Sequence, residues 1–105
     1  MDDMAWMAVA KESEISAGQM KTVLVQGKEI VIYNVDGKLY ATSSTCLHEE
    51  GPLGFGTLEK NTVTCPLHGW RYDVTNGRHL GPEPGVLETF QVKAENGEIL
   101  LETKG

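Results

Sequence analysis

The chain has 105 residues, with 9 basic against 15 acidic side chains and a formal net charge of -6 at pH 7. That length fits one domain, 1–105, with a modest core and no room for a second catalytic unit. The acidic balance and the lack of any Lys/Arg cluster exclude nucleic acid as a partner. No apolar run approaches the roughly 18 to 20 residues of a membrane helix, and Met1-Asp2-Asp3 is acidic where a signal peptide is basic. No membrane contact and a cytoplasmic location are therefore expected. In chain order, 11–17 reads as a single helical turn or as a plain turn, because Ile15-Ser16-Ala17-Gly18 suits both. Residues 21–25, 29–35 and 38–43 are rich in β-branched side chains, and Gln26-Gly27-Lys28 and Asp36-Gly37 separate them as hairpin signals. Residues 62–65 and 70–74 read as short strands. Residues 87–94 and 98–103 read as two more, joined at the type I′ signature Asn96-Gly97. Trp6 and Tyr33 are expected in the core. The chain is thus predicted to be almost all β.

Two short segments carry the chemistry. Cys46-Leu47-His48 and Cys65-Pro66-Leu67-His68 contain both cysteines and two of the three histidines. Thiolate and imidazole are the side chains that bind soft and borderline metals most readily, so a metal centre is the first reading. Structural zinc sites usually open with two cysteines on one tight turn. Here each segment mixes one thiol with one imidazole. Two such loops can serve two metal atoms, one taking both thiolates and the other both imidazoles, as in a Rieske 2Fe-2S centre. With both cysteines used as ligands, none remains for a structural disulfide, which fits a reducing compartment.

On these residues the chain resembles the Rieske ferredoxin family, and the likeness extends past the four ligands. His48-Glu49-Glu50-Gly51-Pro52-Leu53 is similar to the family's first ligand loop and Cys65-Pro66-Leu67-His68-Gly69-Trp70 to its second. Gly81-Pro82-Glu83-Pro84-Gly85 is similar to the proline-containing loop that covers the cluster. The resemblance implies an antiparallel β-sandwich with the cluster held by two hairpin loops at one tip, its binding part spanning about 44–85. It implies one 2Fe-2S cluster on Cys46, His48, Cys65 and His68. It also implies a soluble one-electron carrier, not a catalyst, between a flavoprotein or iron–sulfur reductase and a terminal ring-hydroxylating oxygenase. An oxygenase subunit would need a mononuclear iron held by two histidines and a carboxylate, and only His79 is left over. Two other readings stand beside this one: the small Rieske subunit of an assimilatory nitrite reductase, and a zinc-stabilised interaction module.

Departures from the family pattern bear on the potential. Rieske proteins of respiratory complexes carry two further cysteines and a serine near the cluster. The matching positions here are Gly51, Leu67 and Trp70. Fewer hydrogen bonds to the cluster sulfurs favour the oxidised state, which points to the lower end of the roughly -150 to +300 mV Rieske range. Glu49 and Glu50 either steer a basic partner toward the exposed end of the cluster or are ordinary solvated residues. Trp70 is read as an apolar shield, with partner contact as the lesser option. Tyr72 either donates to a ligand thiolate, as the family's tyrosine does, or simply packs. His79 is read as a surface residue.

Overall fold

The computed structural model describes residues 4–44, 56–65, 70–81 and 85–104. These contain ten strands and one short 3₁₀ turn: β1 (Met4–Lys11), the turn Glu12–Glu14, β2 (Met20–Val25), β3 (Lys28–Val35), β4 (Lys38–Ser43), β5 (Thr57–Glu59), β6 (Thr62–Thr64), β7 (Arg71–Asp73), β8 (Thr89–Phe90), β9 (Val92–Glu95) and β10 (Glu98–Lys104). They form three antiparallel sheets, ordered β1-β10-β9, β2-β3-β4-β8 and β5-β6-β7.

The hairpins follow from turn chemistry. Gln26-Gly27, Asp36-Gly37 and Asn96-Gly97 each have φ positive at both residues, 53° and 82°, 53° and 93°, and 56° and 81°. That is the type I′ geometry whose twist matches that of the flanking strands. A fourth turn, with Lys60 at φ 57°, leads β5 into β6.

β3 explains how the parts fit together. Ile30, Val31, Ile32 and Tyr33 are all buried, and successive side chains of a strand point to opposite faces. Ile30 and Ile32 join Ile15, Val23, Val25, Ala41, Ile99 and Leu101 in one apolar cluster, which glues the large sheet to β10. Val31 and Tyr33 join Val63, Cys65, Tyr72, Val74 and Leu87 in the other, which seats the small β5-β6-β7 sheet on the opposite face. A strand buried on both sides reads as a continuous apolar run, as 30–33 does. The Tyr33 hydroxyl is satisfied inside this core by a 2.8 Å hydrogen bond with Thr42 Oγ1. Burial pushes its pKa up to about 12, an effect the Thr42 hydrogen bond partly offsets.

Three readings change and an ambiguous one is resolved. The strand expected over 87–94 breaks at Gln91: β8 pairs with β4, whereas β9 pairs with β10, so the chain switches sheets there. The Gln91 carbonyl accepts the Glu102 N–H at 2.9 Å, which fixes the crossing. Residues 4–11, given no element from sequence, are the edge strand β1, held by β10 with a register shift between Ala8 and Ala10. Trp6 lies on that edge and is 38% exposed, with the Lys93 ammonium 4.4 Å from its ring centroid, rather than in the core. Residues 12–14 of the ambiguous 11–17 stretch form the 3₁₀ turn, closed by the Lys11 N–H donating to Glu14 Oε1.

Candidate metal centre

Of the four proposed ligands, Cys65 is within the described residues. Cys46, His48 and His68 lie outside them, as do Glu49, Glu50, Gly51, Leu67 and the prolines of 82–84. Among the described residues no three His, Cys, Asp or Glu side chains gather as a metal site. What the strands establish is where the ends of these segments come together.

The second segment leaves β6 at Cys65 and re-enters β7 after Trp70. Register pairs Val63 with Tyr72 and Thr64 with Arg71, and the Cys65 N–H donates to the Trp70 carbonyl at 2.7 Å. The last bond closing this hairpin is therefore made by the thiol-bearing residue itself. The first segment ends at β5, where Thr57 pairs with Thr64, the residue before Cys65. It starts at Ser44, which is buried and whose N–H donates to the Glu29 carbonyl at 3.3 Å. This segment thus leads from β4 of the large sheet to β5 of the small one, and not between two strands of one hairpin as expected from the resemblance.

The proline segment is brought to the same end by a turn built on Asp73. Asp73 Oδ1 accepts the Thr75 N–H (2.9 Å) and hydroxyl (2.6 Å), while its carbonyl accepts the Gly77 N–H at 2.6 Å. This sends 78–80 back along β7: Tyr72 bridges His79, and the Leu80 N–H donates to the Arg71 carbonyl at 2.8 Å. The antiparallel register runs on to place Gly81 level with Trp70. The chain then returns, with the His79 N–H donating to the Gly85 carbonyl at 2.9 Å and Arg78 bridging Val86. Cys65, Thr57 and the described residues Gly81 and Gly85 thus lie toward one end of the small sheet.

Cys65 itself is 2% exposed and packs with Val31, Tyr33, Val63, Tyr72, Val74 and Leu87. A thiol at the lip of an apolar core, with its backbone locked by a hairpin bond, is a rigidly held soft donor. Thiolate and imidazole suit iron in a 2Fe-2S centre, so the residues present fit that cofactor. Trp70 is half-buried against the same core.

His79 departs from its sequence reading. It is half-buried, its imidazole stacks on the Trp70 indole at 4.0 Å between centroids and 17° between planes, and Tyr72 lies 5.3 Å away. A stack between two segments that are brought together only by the fold leaves no local signal in the sequence. The expected strands 62–65 and 70–74 are present as β6 and β7, trimmed at their ends.

An all-β chain with one thiol-bearing residue fixed at a sheet end, beside described residues that flank the other segments, suits a metal centre. Residues 5–91 match the model of the Rieske [2Fe-2S] domain, and the chain belongs to that family. It is 36% identical over 98 residues to the ferredoxin component of the naphthalene 1,2-dioxygenase system of Pseudomonas putida, covering 92% of this chain and 94% of the other. It is 38% identical over 97 residues to the ferredoxin component of the naphthalene 1,2-dioxygenase/salicylate 5-hydroxylase systems of a Ralstonia species, covering 91% and 93%. Among solved structures, a chain in the complex of reduced oxygenase and oxidized ferredoxin of carbazole 1,9a-dioxygenase superposes with a TM-score of 0.85 at 31% identity, covering 91% of each chain. The chain is a Rieske-type ferredoxin whose cofactor is one 2Fe-2S cluster, and it is an electron carrier, not a catalyst. The zinc-module reading is set aside on the family match.

Proposed function

We propose that Cys46 and Cys65 hold one iron and His48 and His68 the other, and that the domain spans 1–105. In this reading the chain passes single electrons from a flavoprotein or iron–sulfur reductase to a terminal aromatic-ring-hydroxylating oxygenase. One observation carries the ligand assignment: Cys65 is locked where the ends of both ligand segments adjoin, through the Cys65–Trp70 hydrogen bond and the Thr57–Thr64 pair. The partner assignment is supported by relatives that are the ferredoxin components of dioxygenase systems. When bound, the cluster supplies one reversible electron. Cys65 contributes a thiolate anchored by the sheet, and Trp70 covers the apolar side of the lip against water. A cytoplasmic location accords with the ligand use of both cysteines; no described helix is long and apolar enough to cross a membrane.

The test is stopped-flow transfer from the reduced protein to an aromatic-ring dioxygenase terminal oxygenase, run beside a sirohaem nitrite reductase. Fast second-order oxidation by the oxygenase alone is expected. Transfer only to the nitrite reductase would give the chain to that other branch of the family.

A further inference from the structure

We propose that His79 is a positioning residue for the iron–sulfur centre, a flat wedge that holds the Trp70 indole in place and, through Trp70, sets Cys65. This rests on the reading of Cys65 as a cluster ligand. Three observations carry it. The imidazole lies face to face with Trp70, 4.0 Å between centroids and 17° from parallel. The Trp70 carbonyl is the acceptor for the Cys65 N–H at 2.7 Å, so a shift of Trp70 is passed directly to the backbone of the thiol-bearing residue. The ring is also confined by its own segment. A Cβ on Gly81 would come 2.7 Å from His79 Cε1 and 3.1 Å from Nε2, so glycine at 81 is what leaves room for the stack. Gly81 does not have the left-handed backbone that would itself demand glycine, which makes the ring the reason for it. Backbone bonds fix the wedge at both sides, from the His79 N–H to the Gly85 carbonyl and from the Leu80 N–H to the Arg71 carbonyl. A flat ring stacked face to face on the indole favours that one side-chain arrangement over its alternatives.

The consequence is electrostatic. With the wedge gone, the indole swings, water reaches the lip beside Cys65, and the more negative, reduced state is better solvated, so the midpoint potential rises. The experiment uses the cluster-loaded protein in a Trp6→Phe background, so that Trp70 is the one indole. Acrylamide quenching of its fluorescence and the midpoint by protein-film voltammetry are read for four variants. His79→Ala should raise the quenching constant roughly twofold, as one of the indole's two faces loses its cover. It should also change the oxidised-to-reduced ratio at the wild-type midpoint about threefold, or about 30 mV at 59 mV per tenfold for one electron. His79→Phe, which keeps a flat ring, should restore both. Gly81→Ala should mimic His79→Ala by pushing the ring aside, yet add nothing once His79 is alanine, the non-additivity expected of residues acting through one contact. Wild-type values in His79→Ala, no rescue by phenylalanine, or additive effects of the two alanines would each overturn the proposal. If His79→Ala fails to assemble the cluster, Gly81→Ala decides alone, and unchanged quenching and midpoint in it overturn the wedge. Failure of the ligand reading looks different: Cys65→Ser would keep its cluster, whatever the quenching data showed.

Discussion

Gly77 is where the small sheet, the proline segment and β8 are held together, and replacing it should cost far more than a glycine's conformational freedom. Its φ is 80°, its N–H closes the Asp73 turn, and its carbonyl accepts the Leu87 N–H at 2.7 Å. A Cβ there would run into the Leu87 carbonyl oxygen and lie 3.1 Å from Thr89 Cγ2. A left-handed backbone costs an L-residue about 1–2 kcal/mol. The clash is with backbone, so relief means pulling Leu87 away and weakening a buried hydrogen bond, about 1–3 kcal/mol more. The total for Gly77→Ala is about 2–5 kcal/mol. Gly37→Ala is the matched control, since its φ is 93° but nothing lies within 4 Å of its Cβ, leaving only the backbone cost of about 1–2 kcal/mol. In a domain of this size 1 kcal/mol moves the melting temperature by about 4–8 °C, so the two variants should differ by on the order of 10 °C. Far-UV circular dichroism of the cluster-loaded protein, anaerobic and at one fixed heating rate, measures this, because loss of metal makes the melt rate-dependent. Equal shifts in the two variants would refute the reasoning that Gly77 is required by close approach.

Three further outcomes are expected. Tyr33, with a pKa raised to about 12 when folded against about 10 unfolded, keeps its full contribution below pH 10 and loses it as pH rises through 12. Urea denaturation should lose about 1 kcal/mol between pH 9 and 11 relative to Tyr33→Phe, and parallel curves for the two proteins would show that the hydroxyl is not held neutral by burial. Cys65→Ser should abolish the visible iron–sulfur absorption and much of the thermal stability, since binding energy is folding energy in so small a domain; retained colour would remove Cys65 from the ligand set. With a net charge of -6, reduction by the cognate reductase should slow as salt rises to about 0.15 M, where the screening length is roughly 8 Å, and Glu49→Gln with Glu50→Gln should flatten that slope. A salt-independent rate would hand docking to apolar contacts.

What could be read from sequence had local causes. Type I′ turns announce themselves because Asp36-Gly37 and Asn96-Gly97 are the dipeptides that tolerate two positive φ values, and the paired Cys and His announce themselves by chemistry. β1 was not legible: Met4–Lys11 alternates poorly and is rich in Met and Ala, and its strand state is imposed by β10 at the far end of the chain. β5 is three residues long, too short for any period to show. The break at Gln91 and the His79–Trp70 stack share that origin, since both are set by which sheet a distant segment joins.

The most direct test of the central claim, a Rieske 2Fe-2S carrier built on two cysteines and two histidines, is the electron paramagnetic resonance spectrum of the dithionite-reduced protein, quantified against its iron. One spin per about two irons is expected, with an average g below that of a four-cysteine cluster because two imidazoles replace two thiolates on the reduced iron. A spectrum with the average g of a four-cysteine cluster, or a silent protein holding stoichiometric zinc, would contradict it.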